Sequence, residues 1–444
     1  MLAGRLVSSP TPASAARYSH VEALDLAHSA GENAHVHIIG PDNQKLAIVM
    51  VGLPARGKSY TARRIERYLS WLGYRTRVFN VGQYRRVRVG AEMPHDFFDP
   101  NNPKGEEARR QVALEALNDM VDWLNTSGHV GIYDATNSTV ERRAMVRQRC
   151  EQAGLQVLFI EIDCDDPNII ENNIRATKLS SPDYENMDED EAVRDFRRRI
   201  EHYERIYQGV KEAEGASLRV SGAGKSVTVS QVDGYLAGRL VFFLMNLHLT
   251  DRPILLTRHG ESMYNVKGRI GGDPDLSPAG QRYAHVLADF LDSRFHDPDG
   301  VVIWTSSLRR AVQTANPLGR RSLPWRALDE INAGICDGMT YEQIKQEMPS
   351  EYEARSHDKF RYRYPRGESY EDVIARLDTV IIELERTRRP VLVIAHQAVL
   401  RSLYAYFHNI PPEQCTRLPI PLHRVLELRP HAYGCQEVRL SLAR

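Results

Sequence analysis

The stretch Leu46 to Thr61, LAIVMVGLPARGKSYT, decides how the first half of this chain folds. Leu46 to Val51 is an uncharged run of the kind that forms a strand buried on both faces, and it breaks at Gly52 into a loop closed by Gly57-Lys58-Ser59. The spacing is G-x-x-x-x-G-K-[ST], with helix formers from Ala62 to Trp71 behind it. Glycines let the backbone wrap a polyphosphate with its N–H groups turned inward. Lys58 is then in reach of the β- and γ-phosphates, the Ser59 hydroxyl suits Mg²⁺, and the positive end of the next helix faces the anion.

Working outward, 444 residues are too many for one core, so two domains of roughly 200 residues each are expected. The composition, 42% hydrophobic and 26% charged, is that of an ordinary globular enzyme. Lys+Arg and Asp+Glu balance at 58 each, which leaves no global field for nucleic acid or for a membrane surface. The cysteines, Cys150, Cys164, Cys336, Cys415 and Cys435, are scattered and never form C-x-x-C, which speaks against a disulfide framework or a zinc ribbon and for a reducing cytoplasm. Residues 1–37 are small and polar and read as a flexible arm.

From Leu46 strands and helices alternate, the pattern of an α/β domain with a mainly parallel sheet flanked by helices, over residues 38–249. A second strand is expected from Arg77 to Val81, ending at Gly82, and a third from His129 to Asp134. Strands of such folds point their carboxyl ends at the ligand crevice, so Asp134 is placed to hold Mg²⁺ or to take the acceptor's proton. A fourth strand spans Gln156 to Ile162, Gly215 to Ser226 reads as loop, and Tyr235 to Leu249 reads as a packed helix. Of the three arginines Arg197, Arg198 and Arg199 on the helix expected from Glu191 to Tyr207, two are expected on a solvated face.

Asp251-Arg252-Pro253 marks the passage to a second α/β domain over residues 250–444. It opens with the strand Ile254 to Thr257 and then Arg258-His259-Gly260-Glu261. Imidazole is a competent nucleophile near neutral pH, and a neighbouring guanidinium offers a fork of donors to phosphoryl oxygens. Leu308-Arg309-Arg310 follows a strand ending at Trp304, and His396-Gln397 follows one ending at Val393. Two histidines and two arginines at strand ends in one domain make a phosphate pocket.

Taken together, the strings GLPARGKSY, FNVGQYRR, DATNST, SPDY, LTRHGESMYN, GRIGGD, DKFRYRYPRGESYEDV and AHQAVLR resemble the 6-phosphofructo-2-kinase/fructose-2,6-bisphosphatase family from about Leu46 to the C-terminus. The resemblance implies a P-loop kinase domain followed by a histidine phosphatase domain of phosphoglycerate mutase type, ATP and Mg²⁺ (the metal at Ser59 and Asp134), and a homodimer. It implies that Gly52, Leu53, Pro54, Ala55, Arg56, Gly57, Lys58, Ser59 and Tyr60 wrap ATP, helped by Asn173 and Lys178. Fructose 6-phosphate falls to Arg85, Arg109, Thr136, Arg142, Lys178, Arg199 and Tyr203, with Cys164 matching a family active-site cysteine. In the second domain it makes His259 the nucleophile for fructose 2,6-bisphosphate. Arg258, Arg310 and His396 then surround the phosphoryl group, and Glu330 acts as the acid for the departing oxygen. Asn265, Gly271, Tyr341, Arg355, Lys359, Tyr370, Gln397 and Arg401 hold the rest of the substrate. Departures are mild: Ser59 and Ser138 replace threonine but keep the hydroxyl, and Ser262-Met263-Tyr264 differs from the usual stretch. The alternative within the family is an effectively monofunctional kinase or phosphatase.

Overall fold

A computed structural model describes residues 45–91, 93–178, 182–184, 187–222, 224–248, 252–431 and 434–442, with the side chains of residues 176–178 also outside the description. The arm 1–37 and the first residue of SPDY, Ser181, lie outside it. The run Leu46–Val51 is strand β1, and all six of its residues are buried. It occupies the middle of a six-stranded sheet with β2 (Thr76–Asn80), β3 (Val130–Asp134), β4 (Gln156–Asp163), β5 (Ser217–Ser221) and β6 (Ser226–Ser230), in the order β2-β3-β1-β4-β5-β6. All neighbours are parallel except β5 and β6, so the crossover helices cover both faces.

Two local readings are corrected. The second strand ends at Asn80, because its side chain accepts the Gln83 N–H and caps a helix, Val81–Arg88, that starts where the strand was expected to continue. The segment expected to be loop from Gly215 holds β5, whose S-L-R-V-S pattern is half polar because only Leu218 and Val220 face the core.

The second sheet runs β12-β11-β7-β10-β8-β9, from β7 (Ile254–Arg258), β8 (Val302–Ser306), β9 (Ser322–Trp325), β10 (Val391–Ala395), β11 (Arg424–His431) and β12 (Gly434–Ser441). Its four strands β7, β10, β8 and β9 are parallel, and β11 and β12 add antiparallel edges. One apolar cluster runs across both halves: within the first, Tyr68 stacks on Phe243 at 4.3 Å between ring centroids, and from one half to the other Trp71 meets Tyr406 edge-on at 5.7 Å. In the seam between the halves, the helix Lys58–Trp71 sends Arg64 and Arg67 to Glu385 on the helix Tyr370–Arg386, and the Tyr406 hydroxyl donates to the same carboxylate at 2.7 Å. The five cysteines are unpaired, and no described helix is long and apolar enough to cross a membrane.

Candidate active sites

The phosphate loop leaves β1 at Gly52, where φ is +137° and a Cβ would meet the Ile162 carbonyl at 2.5 Å, so only glycine fits. Gly57, at φ 94°, precedes the first turn of the helix Lys58–Trp71, whose N-terminal N–H groups point into the loop. The loop is braced from three sides: Gly52 N–H donates to Thr136 O at 3.0 Å, Asn173 Nδ2 donates to Ala55 O at 2.9 Å, and Arg56 pairs with Glu204 at 3.2 Å. Lys58 Nζ lies 2.6 Å from Leu53 O, inside the loop it is expected to serve. Register sets Asn80 on β2 opposite Asp134 on β3, and the Asn80 amide donates to the buried Asp134 carboxylate. Lys58, Ser59 and Asp134 thus offer an ammonium, a hydroxyl and a carboxylate at adjoining strand ends, a donor set that fits a nucleotide polyphosphate with a hard cation. Tyr60 faces elsewhere, its hydroxyl taking a bond from Arg64 toward the seam.

Of the sugar-phosphate residues implied by resemblance, Arg85, Arg109, Arg199 and Tyr203 gather around the pair Phe97-Phe98. The Arg199 guanidinium lies 3.5 Å from the centre of the Phe98 ring, Arg85 lies 5.6 Å from it, and Arg109 donates to Phe97 O. Tyr203 stands 6.4 Å from Phe98, ring to ring. Arg85 also donates to Asp183 at 2.6 Å, with Arg86 at 3.6 Å and Arg199 at 3.7 Å from the same oxygen. Burial alone would push the Asp183 carboxyl up, but these guanidinium groups bring it below the usual range. Arg142 stands apart, donating to the Tyr133 hydroxyl at 3.2 Å, and Thr136 serves the loop through its backbone. Arg197 is exposed and paired with Glu171, and Arg198 is exposed, as expected for a solvated face. Cys164 is buried just beyond β4. The Lys178 side chain lies outside the described residues.

In the second half, β7 and β10 pair with Arg258 opposite Ala395, so His259 and His396 leave adjacent parallel strands at one level, their rings 4.9 Å apart. His259 Nδ1 is 2.6 Å from its neighbour's carbonyl, Gly260 O. An acceptor there fixes the tautomer with hydrogen on Nδ1, which leaves the Nε2 lone pair outward, 3.2 Å from Arg310 Nε. Burial first, then Arg310, holds both imidazoles well below their ordinary value, so both are neutral at pH 7. Arg258 Nε and His396 Nδ1 are buried with no hydrogen-bond partner among the described residues; the Arg258 N–H suits an anion directly, and His396 Nδ1 donates to one when the ring takes a second proton.

These groups form one end of a cavity of about 370 Å³. Its walls include Arg258, His259, Asn265, Gly271, Arg310, Glu330, Tyr341, Arg355, Lys359, Tyr370, Gln397 and Arg401, bringing together what the resemblance implied. Gly271, at φ 64°, leaves no room for a Cβ against Asp337. The Glu330 oxygens accept N–H bonds from Ile331, Gln397 and Ala398 at 3.0–3.1 Å, two of them from the first turn of the helix Gln397–His408. To deliver a proton, Glu330 has to exchange one of these donors for the departing oxygen. Burial, followed by Arg401 and Arg355, lowers the Lys359 ammonium to about 8.

Sequence reasoning missed Ser306, Asp329, Phe98 and Asp183. Ser306 Oγ donates to Asp329 at 2.8 Å and meets His396 Nε2 at 2.7 Å, a short chain that fixes the His396 ring. Ser306 is the last residue of β8, but its partner Asp329 is 23 residues away and no local pattern reveals it.

A phosphate loop in one half and a two-histidine, two-arginine crevice in the other define a two-domain phosphoryl-transfer protein. Residues 35–251 match the family described as 6-phosphofructo-2-kinase, and residues 254–442 match the histidine phosphatase superfamily, branch 1. The 6-phosphofructo-2-kinase/fructose-2,6-bisphosphatase 4 of Rattus norvegicus is 50% identical over 394 residues, covering 88% of this chain and 83% of its own length. The human form 1 is 47% identical, covering 89% and 84%. The Arabidopsis thaliana relative is 53% identical over 91% of this chain, which spans only 55% of that longer protein. The chain belongs to the 6-phosphofructo-2-kinase/fructose-2,6-bisphosphatase family.

Proposed function

We propose that this chain both makes and destroys fructose 2,6-bisphosphate, using ATP to phosphorylate fructose 6-phosphate at its 2-hydroxyl and removing the same phosphate by way of a phosphohistidine. The observation that carries the reading is that His259, with Nε2 facing Arg310, stands at one end of a cavity that also holds Arg355, Lys359 and Arg401. One phosphate at the histidine and a second among those three cations is the charge pattern of a bisphosphate.

In the phosphatase reaction, His259 Nε2 attacks phosphorus as the bond to the sugar's 2-oxygen breaks, and that oxygen takes the proton of Glu330. Water then attacks the phosphohistidine, phosphate leaves, and Glu330 recovers a proton. Arg258, Arg310 and the protonated form of His396 stabilise the charge on the phosphoryl oxygens, each worth about 3–4 kcal/mol if it acts as one preorganised donor. In the kinase reaction, Lys58 exchanges Leu53 O for phosphate oxygens, and the Phe98-backed arginines grip the sugar phosphate. Ser59 and Asp134 are the residues that would hold Mg²⁺, which when bound neutralises charge on the β- and γ-phosphates. The chain works as a homodimer in the cytoplasm, where the four buried thiols stay reduced.

The test is to assay both reactions on the purified protein beside Lys58→Met and His259→Ala. Each substitution is expected to lower one activity by at least about 10³-fold and to leave the other within about threefold. Loss of both activities from either change refutes two separate sites, and failure of ³²P from the 2-position to appear on His259 refutes the phosphohistidine.

A further inference from the structure

Outside both crevices, among the described residues, a single group of His, Cys, Asp and Glu side chains converges closely enough to hold a metal ion: His95, Asp96 and His202. His95 and Asp96 begin the short helical turn His95–Phe98, and His202 lies in the last turn of the helix Glu189–Glu204. His95 Nδ1 is 3.3 Å from His202 Nε2 and 3.1 Å from Asp96 Oδ1. Metal–nitrogen bonds of ~2.0–2.1 Å at a tetrahedral angle set neighbouring donor atoms about 3.3 Å apart, so the side chains already stand at the spacing of a shared ion.

The surroundings complete the pattern. His202 is buried, and its other nitrogen, Nδ1, has no hydrogen-bond partner but faces Asp99 Oδ2 at 3.6 Å. A carboxylate on that side places the ring hydrogen on Nδ1 and turns the Nε2 lone pair toward His95, the outer arrangement of metal-bound histidines. The His95 backbone is fixed as well: its N–H donates to Asp195 at 3.2 Å, and Asp195 takes the Tyr184 hydroxyl at 2.8 Å. Arg198 Nη1, 3.4 Å from His95 Nε2, is the one opposing group. It is an exposed side chain and turns away into water when that nitrogen carries hydrogen.

We propose that His95 Nδ1, His202 Nε2 and Asp96 bind a divalent transition ion of the zinc class, with water as the fourth ligand. Two imidazoles and one carboxylate suit zinc, cobalt or nickel, and not the all-oxygen shells of Mg²⁺ or Ca²⁺. The ion staples the turn His95–Phe98 to the helix Glu189–Glu204. That turn carries Phe97 O, which holds Arg109, and Phe98, which underlies Arg199. Metal therefore stiffens the wall of the sugar-phosphate pocket, a consequence that rests on the kinase reading, whereas the binding itself does not.

Full-length protein stripped by a chelator is titrated with Co²⁺, following visible absorption, and with Zn²⁺ against a chromophoric chelator. One ion per chain with an intense tetrahedral cobalt band is expected, and Mg²⁺ in excess leaves it unchanged. His202→Gln removes the band. Asp96→Asn, on a side chain 75% exposed and therefore no threat to folding, weakens the affinity by about tenfold or more, and Asp99→Asn by about 10–100-fold. No band in the wild type, unchanged affinity in Asp96→Asn, or a near-ultraviolet thiolate band marking cysteine ligation overturns the site. If Zn²⁺ binds but leaves KM for fructose 6-phosphate unchanged, the stiffening of the pocket is refuted and the site stands.

Discussion

The two crevices use the same chemistry but hold their cations with different acceptors. In the second half, Arg258, Arg310, Arg355, Lys359 and Arg401 converge on an open cavity of about 370 Å³. The cations of both crevices are held by the chain's own oxygens, but of different kinds: in the second Lys359 by Thr416 O, Arg401 by Leu418 O and Arg355 by the Tyr341 and Tyr364 hydroxyls, in the first Arg85 by the Asp183 carboxylate and Arg56 by that of Glu204. A phosphate entering the second crevice competes for these cations mainly with neutral carbonyls and hydroxyls. One entering the first has to displace internal carboxylates, which reduces its apparent affinity by the cost of that exchange. A pocket lined by neutral acceptors and one closed by carboxylates thus arise from the same strand-end logic, and the difference lies in which acids the neighbouring elements supply.

The seam asks whether the two crevices are independent, and it carries the largest expected effect. Glu385 belongs to the second half, yet its buried carboxylate neutralises Arg64 and Arg67 on the helix that begins at the phosphate loop. Glu385→Ala strands those guanidinium groups and is expected to cost about 3–5 kcal/mol in urea unfolding at pH 7. Burial raises the Glu385 carboxyl, but Arg64 and Arg67 outweigh it and bring it down to about 2. A folded value below the unfolded one of about 4.3 means that the contribution is present above that pH and is lost as pH falls toward 2. Glu385→Gln lacks that part of the acid loss, so the gap between wild type and variant narrows between pH 4.5 and 2. A constant gap would show that the seam is not held by this charge.

The next test addresses Asp183. Asp183→Asn removes the carboxylate from buried Arg85 and half-buried Arg199 and is expected to destabilise the protein by about 3 kcal/mol, the low end for a broken buried pair because Arg199 keeps Phe98 beneath it. Inorganic phosphate or fructose 6-phosphate then raises Tm more in the variant than in the wild type, since no internal anion has to be displaced. Equal shifts in the two proteins would mean that Asp183 orients the arginines and does not occupy their site.

What the sequence made legible follows from what is local. The loop at Gly52–Ser59 and the strand-end segments at Arg258-His259 and His396 are readable because one run of residues contains both the strand and the turn that aims the side chain. That Arg199, and not Arg197 or Arg198, serves the pocket came from the resemblance, since three consecutive helix positions do not by themselves say which one turns inward. Asp183 against Arg85, Ser306 against His396, Glu385 against Arg64 and His95 against His202 were not legible, because each joins elements far apart in the chain. The strand β5 was missed for a related reason: an outer strand with polar residues on one side looks like loop until its neighbour β4 is known.

The kinds of cation in the two crevices give a finer contrast. The open cavity includes Lys359, lowered to about 8 by burial and by Arg401 and Arg355, whereas the described cations of the sugar-phosphate group in the first half are arginines. An ammonium loses its charge as pH rises through its pKa, so KM for fructose 2,6-bisphosphate is expected to climb about tenfold between pH 7 and 9. KM for fructose 6-phosphate stays flat, since guanidinium groups remain charged. Lys359→Arg removes the slope if the reading is right. A slope that persists in that variant belongs to another group.

The smallest expected effect bears on the walls of the closed pocket. Phe98 has no polar atom for a sugar phosphate, yet its ring lies 3.5 Å below the Arg199 guanidinium, with Arg85 at 5.6 Å and Tyr203 at 6.4 Å. Phe98→Leu keeps apolar volume and removes the ring quadrupole, a change of about 1 kcal/mol, or roughly fivefold in KM for fructose 6-phosphate. Because the cation gains a ligand without losing the ring, the loss falls on KM and leaves kcat within about twofold. A loss in kcat would instead place Phe98 in the transfer step, and no change at all would mean that Asp183 alone positions Arg199, making the closed crevice simpler than its aromatic floor suggests.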